Sequence, residues 1–451
     1  MPSSFEKIMH YIRTGELRFL VKYALNKGPV ETTKILLNTF KEAMTIGDFY
    51  ESHLDELKEY RHSYPFSPRK GAIHMMWWDF KTLFKNANRL KVDDFKLSED
   101  VVNIMILPNG GLGDYLMNAN YVYRLRQKYK DSPLRIDIVS KEHFYGPTKA
   151  VFESDHDCPV DGIYSEDHRK FAPLYDVIID ISRYPVLVRY NLERVGMVCP
   201  GFLEYIHLCE RFRFENYEMI MKRPFLDGEG ATQCIKQGKT RIMQSDIYGF
   251  LGTTEEFCYP MKMPDEKEVF KRLNIPDGNY ISMHRGCDTD YSKDSIKLWP
   301  EEYYQTLTNM IKQKYPDLPI VQLGVSHKRC ATIRGTDLNL IEKTSIDDIK
   351  VILKHALIHI DCEGGMVHMR HAVKGGPSIV IFGPTPLEFY GYSENENIKG
   401  DGCDRWCEWA TRNWQEGCMK GFEKHPCMYS ISPETVMASV EKLLNNGKQT
   451  H

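Results

Sequence analysis

The chain has 451 residues, enough for two or three domains that each bury a core of their own. Its 59 basic and 62 acidic side chains leave a formal charge of -3, so no global field draws it to nucleic acid or to an anionic membrane, and any anionic ligand must be held locally. The opening MPSSFEKIMHYIRTGELRFL lacks the apolar core and small-residue cleavage site of a secretory signal, and no run reaches the roughly 18 to 20 apolar residues that span a bilayer, so a soluble, cytoplasmic protein is expected.

Residues 1–98 carry helical periodicity in KIMHYIRTGELRFLVKYAL, ETTKILLNTFKEAM and YESHLDELKEY, interrupted at Gly28-Pro29 and between Tyr64 and Gly71. They read as a helical extension. A packing appendage is the simpler role, and contact with an acceptor, a partner or a membrane surface is the alternative. The pattern changes at Val101. An apolar run from Val101 to Leu107, the turn Asn109-Gly110-Gly111-Leu112-Gly113-Asp114, a helix to about Tyr129 and a strand from Arg135 to Ser140 spell a βαβ unit. A strand at Val177 to Ile181 and helices to about Phe214 continue the alternation, while 227–264 is rich in turn residues and predicts no clear element.

From Tyr280 the alternation restarts. Strands at Tyr280 to His284, Pro319 to Leu323, Leu338 to Ile341, Leu357 to Asp361 and Ser378 to Phe382, with helices at Glu301 to Lys314 and Ile346 to His355, predict a second parallel sheet. The expected fold is α/β, with two facing, doubly wound, Rossmann-like halves at 99–264 and 265–430 and a last helix at 431–451.

Two glycine turns carry the candidate chemistry. The first is not a dinucleotide fingerprint, because the GxGxxG spacing fails and the second strand ends in Val139-Ser140 where an acidic residue would be expected. Gly111 and Gly113 instead let backbone approach a sugar or phosphate closely. Asp114, at the strand-to-helix junction, reads either as a cap of the helix or as a general base aimed into the cleft. In the second turn, Glu363-Gly364-Gly365 precedes a helix whose free N–H groups and dipole favour a phosphate, with His368 on its first turn. His371 reads as structural. His284-Arg285 and Lys297 supply cations for a diphosphate at the same sheet edge. The acidic triplet Asp288-Thr289-Asp290 looks like a metal-binding motif, but such triplets arise often by chance and no catalytic metal is expected in a doubly wound context.

Of the 12 cysteines, Cys403, Cys407, Cys418 and Cys427 form a C-x3-C-x10-C-x8-C cluster near the end, and the others read as ordinary reduced thiols. Four thiolates suit tetrahedral zinc or iron, and four free buried thiols among Trp406, Trp409 and Trp414 are the alternative.

Taken in order, GLGDYLMNANYVYRLR, KLWPEEYYQTL, DCEGGMVHMRHAV with IVIFGPTP, and the cysteine tail ending CMYSISPETV resemble the family 9 glycosyltransferases, the heptosyltransferase-like group, over about residues 100 to 445. The resemblance implies a GT-B fold, with the acceptor on the first half, a nucleotide-sugar donor held mainly by the second, and a final helix crossing back to the first. It implies inverting, metal-independent transfer from a nucleoside-diphosphate sugar, ADP-heptose-like donors included. By position, Asp114 matches the family's catalytic Asp, Lys297 its diphosphate-contacting Lys, and Asp361 to His368 its donor-binding segment. The family commonly reads Asp-Thr-Gly-x-x-His, and this loop is two residues longer, so Asp361 and Glu363 both stand as donor contacts. The acidic residue that often follows the Leu-Gly turn is absent after Gly324. Related autotransporter heptosyltransferases bind iron through four cysteines, which implies a structural metal at the tail. The functions expected are transfer of a heptose or hexose to a glycan, glycolipid or protein acceptor, or else nucleotide-sugar epimerisation, or nucleotide-sugar binding without turnover.

Overall fold

A computed structural model of the chain describes residues 97–447 apart from 217–218, 221–226, 277–278, 287–294, 327–329, 404–405, 410–413 and 416. The helical extension expected over 1–98 and the Asp288-Thr289-Asp290 triplet fall outside the described residues, save for 97–98.

The first half begins with β1 (Val102–Pro108), buried along its whole length, as a near-continuous apolar run should be in a parallel sheet covered on both faces. It continues through α1 (Leu112–Lys128), β2 (Leu134–Val139), α2 (Tyr145–Phe152), β3 (Gly162–Tyr164), β4 (Val177–Ile181), β5 (Pro185–Tyr190), α3 (Leu192–Val198), α4 (Leu203–Glu215) and α5 (Asp227–Lys236). The strand order is β3-β2-β1-β4-β5, parallel except where β5 folds back antiparallel on β4. That reversal takes three residues, Ser182-Arg183-Tyr184, and leaves them at the carboxyl end of β4.

The second half comprises α6 (Glu266–Leu273), β6 (Ile281–His284), α7 (Glu301–Lys314), β7 (Ile320–Leu323), β8 (Leu338–Asn339), α8 (Ile346–His355), β9 (Ile358–Cys362), α9 (Gly365–Ala372), β10 (Ser378–Phe382), α10 (Leu387–Tyr390), β11 (Glu396–Lys399), α11 (Pro426–Tyr429) and α12 (Pro433–Gly447). Its order, β11-β10-β9-β6-β7-β8, is parallel throughout. Counted from its own first strand this is the 3-2-1-4-5-6 order of a dinucleotide-binding sheet. The two doubly wound α/β halves are therefore present as expected.

The halves pack on each other. One apolar cluster runs from Val102 and Leu116 in the first half to Ile352 and Met369 in the second. Lys350 of α8 is fully buried, and its Nζ donates to the carbonyls of Ala150 at 2.9 Å and Lys262 at 2.5 Å. Helix α5 precedes the expected boundary at 264, yet Ala231 and Cys234 bury against Val380, Phe382 and Phe389 of the second half. Over 433–447, the stretch where the resemblance implied a crossing helix, the chain forms α12. There α12 buries Val436, Met437 and Val440 with Trp299 and Ile311 of the second half, and its ion pairs Lys314–Glu441 (2.6 Å) and Lys442–Glu396 (2.7 Å) lie in that half too. Among the described residues no helix is long and apolar enough to cross a membrane.

Candidate functional site

Open α/β sheets take ligands beyond the carboxyl ends of their strands, where the strand order reverses. Here those points lie between β1 and β4 and between β6 and β9. The loops behind β1 and β9 are the two glycine turns, and they meet. A side-chain carbon on Gly113 would stand 2.7 Å from His368 Cδ2, and one on Gly365 would stand 3.2 Å from the Gly113 nitrogen and Leu112 Cβ. Gly113 leaves no room for a side-chain carbon and Gly365 leaves only a tight one, because the N-termini of α1 and α9 abut there.

On the first side, Asp114 serves as cap and as a partly exposed carboxylate at once. Its Oδ2 accepts the Gly111 N–H at 3.0 Å, while Oδ1 accepts from Arg241 Nη2 at 2.7 Å. Gly110 has a φ of 109°, and any side chain there would run into the Asp114 carboxylate. Arg241 is buried and also donates to the Ser182 carbonyl at 3.0 Å. Burial works to raise the Asp114 pKa, but 30 % of its side-chain surface is exposed. The Arg241 guanidinium, with help from Arg183, outweighs burial and holds the group below the ordinary carboxylate range. Asp114 is therefore ionised at neutral pH.

On the second side, Lys297 Nζ lies 2.6 Å from Glu363 Oε2, and His368 Nε2 lies 3.7 Å from Glu363 Oε1. The other His368 nitrogen shares a 2.7 Å hydrogen bond with the Tyr392 hydroxyl. Burial acts to raise Glu363, but Lys297 and then His368 outweigh it and pull the carboxyl down to about 2. Asp361 is placed differently. It is buried in β9, 2.9 Å from His284 Nδ1 and 3.5 Å from His359 Nε2, and accepts the Cys362 N–H at 2.8 Å. Of the two candidate carboxylates, the one that meets Lys297 is thus Glu363.

His284 is held inside by the same pair. Burial opposes its charge, but the Asp361 carboxylate prevails and pushes the imidazole up to about 10, with its other nitrogen 3.8 Å from Cys330 Sγ. Arg285 lies 3.5 Å from Glu301, a more exposed carboxylate. Gly324 is a packing glycine, since a side chain there would meet Cys330 and Ile341 at 3.0 Å. Gly364 is extended, with φ 174°, and its carbonyl accepts the His368 N–H at 3.3 Å.

Sequence reasoning missed several members of this cluster. Arg183, buried in the β4–β5 turn, donates from Nε to Asp227 (3.2 Å), from Nη1 to the Tyr390 hydroxyl (2.8 Å) and from Nη2 to Glu408 (3.4 Å). It thereby ties the first half to the second. Arg241 lies in the irregular 227–264 stretch, and Glu408 in the cysteine tail. The one signal in reach was the place of Arg183, just past the end of a predicted strand.

Cys403, Cys407 and Cys418 are partly buried and Cys427 is buried. The four thiols are neighbours: burial first, then the nearby Cys427, Cys418 and Cys403, push Cys407 up to about 12. Yet among the described residues no three His, Cys, Asp or Glu side chains stand so as to hold a metal ion. The expected metal set is gathered in one region but is not built by the described side chains.

The sequence of the second half matches a glycosyltransferase family. The family model described as "Glycosyltransferase family 9 (heptosyltransferase)" matches residues 286–416, the stretch that holds Lys297, Gly324, Asp361, Glu363 and His368. Among solved structures, the chain is similar to an E. coli ADP-heptose lipopolysaccharide heptosyltransferase II, with 12% identity, 77% of this chain and 99% of that one covered, and a TM-score of 0.48. It is similar also to a family 9 glycosyltransferase from Veillonella parvula, with 13% identity, coverage of 78% and 99%, and a TM-score of 0.48. A third is the dodecameric iron-containing heptosyltransferase TibC of enterotoxigenic E. coli, in complex with ADP-D-beta-D-heptose, with 13% identity, 78% of each chain covered and a TM-score of 0.48. No curated protein matches.

Proposed function

We propose that the chain is an inverting, metal-independent glycosyltransferase. It moves a heptose or hexose from a nucleoside-diphosphate donor to a hydroxyl of a glycan, glycolipid or protein. The observation that carries this reading is the ionised Asp114 at the N-terminus of α1, set against the N-terminus of α9 with Lys297 and Glu363 close by.

In the reaction this supports, the acceptor hydroxyl gives its proton to Asp114 as its oxygen attacks the anomeric carbon. The bond from that carbon to the diphosphate breaks, and the electron pair leaves with the diphosphate. The free N–H groups of α9 and the Lys297 ammonium stabilise the charge that develops on the leaving group. A single displacement of this kind inverts the anomeric centre. Arg241 keeps Asp114 ionised without occupying its Oδ2.

A thermal-shift panel of nucleotides and nucleotide sugars, ADP-heptose first because the family resemblance implies it, tests the donor half of the reading. The matching donor raises the melting temperature, and a protein stabilised by no nucleotide or nucleotide sugar ends the proposal. Incubation with that donor alone separates transfer from epimerisation, since an epimeric product without acceptor contradicts transfer. The reading extends to a structural zinc or iron on Cys403, Cys407, Cys418 and Cys427, supported by the mutual proximity of the thiols. Metal analysis of purified protein, with C407S as control, checks it: folded wild type free of metal rules the site out.

A further inference from the structure

The cysteine tail brings into the charged cluster one side chain that the proposed reaction does not use. Glu408 follows Cys407, and the N–H groups of both residues donate to the Pro384 carbonyl in the turn after β10, at 3.1 and 2.8 Å. Gly228 of α5 closes on it from the other side, where a side-chain carbon would stand 2.7 Å from the Glu408 carbonyl oxygen. The segment is fixed from two directions, and Glu408 is 5% exposed. Its Oε1 accepts from the Tyr390 hydroxyl at 2.7 Å and from Arg183 Nη2 at 3.4 Å. Its Oε2 is buried and has no hydrogen-bond partner among the described residues. A buried carboxylate oxygen left unmet costs free energy, so such an atom at the meeting of the two halves calls for a ligand.

The surroundings say which kind. Arg183 acts electrostatically on Asp114 as well as on Glu408, and Glu408 in turn feels Glu363 and Lys297. Tyr390, which donates to Glu408, has its ring 6.3 Å from that of His368, and His368 lies 3.7 Å from Glu363 and abuts Gly113 beside Asp114, so Glu408 borders the place where the proposed reaction puts the transferred sugar. Among the described residues the cations here are matched, Lys297 by Glu363, Arg241 by Asp114, and Arg183 by Asp227 and Glu408. A further anion at Oε2 would meet carboxylate. A neutral hydroxyl, which can donate, fits.

We propose that Glu408 is a substrate-contacting residue whose Oε2 accepts a hydroxyl of the transferred sugar, so that the cysteine tail selects the donor by its sugar and not by its nucleotide. This rests on the donor reading given above. In E408Q, Tyr390 and Arg183 both donate and so hold the amide oxygen, which places the amide NH2 where Oε2 stood and turns an acceptor into a donor.

Calorimetric titration of the full chain with ADP, UDP and GDP, and with ADP-heptose, UDP-glucose and GDP-mannose, tests the proposal. For the pair that wild type binds, E408Q keeps nucleoside-diphosphate affinity and loses on the order of 10- to 100-fold for the nucleotide sugar. Y390F, which removes a support of Glu408 but leaves Oε2, keeps the wild-type ratio of the two affinities. An unchanged ratio in E408Q overturns the role of Glu408 alone. Wild type that binds neither class of ligand overturns the donor reading and this inference with it. Should E408Q fail to melt cooperatively, E408D, which keeps the charge and draws Oε2 back by one methylene, carries the same test: an unchanged ratio again refutes the proposal.

Discussion

In the second half, the groups at the interface come from strand ends and the loops directly behind them: His284 at the end of β6 with Arg285 after it, Glu363 to Gly365 behind β9, Pro384 behind β10. In the first half only Asp114 is presented so simply, and its cation Arg241 arrives from 127 residues further along the chain. The second sheet has a complete parallel order and its half contains the matched family segment, so in the proposed function its edge is the holder of the nucleotide-linked group. The first sheet is closed by the antiparallel β5, and that closure is what sets Arg183 at the carboxyl end of β4. Under the proposed reading, donor holding follows from the sheet order, whereas the base depends on a cation, Arg241, brought from far along the chain.

The comparison breaks most directly at Asp114. If the first half supplies the base, D114N lowers the transfer rate about 10²- to 10⁴-fold while leaving donor affinity within a few fold. Single-turnover transfer measured beside donor titration decides it, and wild-type transfer by D114N removes chemistry from the first half altogether.

Lys297 and Glu363 probe the other side. K297M leaves the Glu363 carboxylate buried without its nearest cation, a loss on the order of 3–5 kcal/mol of stability by urea unfolding, together with weaker donor binding. Removing both partners in K297M/E363Q restores much of the stability but not the donor binding. If the double variant is as unstable as K297M, the pair is not what holds this loop.

Arg241 sharpens the contrast between holding and tuning. In wild type the acid limb of kcat/KM falls below the usual Asp value of about 3.9, because the neighbouring guanidinium favours the carboxylate. R241M moves that limb upward. The Asp114 contribution to stability, present above the unfolded pKa and lost as pH falls through the depressed folded value, shrinks in the same variant. An acid limb at the same pH in both proteins would show that Arg241 does not set the base.

Much of this frame was legible in the sequence. Strands β4 and β10 and helices α7 and α8 begin and end where apolar runs and turn residues place them. Strands β3 and β11 escaped notice because they are short, only partly buried edge strands without an apolar run. Strand β5 escaped because it opens on Pro185 and pairs along one edge, where proline is tolerated. Asp114, Lys297, Glu363 and His368 could be found because each lies near a strand end, a glycine turn or a helix start. Arg183, Arg241 and Glu408 could not, since their roles arise from pairings 225 and 127 residues apart that no local period encodes. The choice between Asp361 and Glu363 needed the sheet itself: Asp361 is a residue of β9 and is bound by His284 of the adjacent β6, whereas Glu363 comes one residue past the strand.

That buried pair offers the smallest test, and it separates the halves by pH. His284 is raised from 6.5 to about 10 by Asp361, so the folded chain keeps a proton that the unfolded chain releases above about 6.5. The stability this contributes is full below that pH and is lost as pH rises towards 10, at no more than about 1.4 kcal/mol per pH unit. Between pH 7 and 8 the loss is about 1 kcal/mol. Asp114 in the first half acts at the opposite end of the scale, in acid. Urea unfolding from pH 6 to 9, with H284N beside wild type, measures the alkaline slope. H284N lacks this part of the slope, and equal slopes in the two proteins would mean that His284 is neutral in the fold and that the floor of the donor side is held by packing, not by charge.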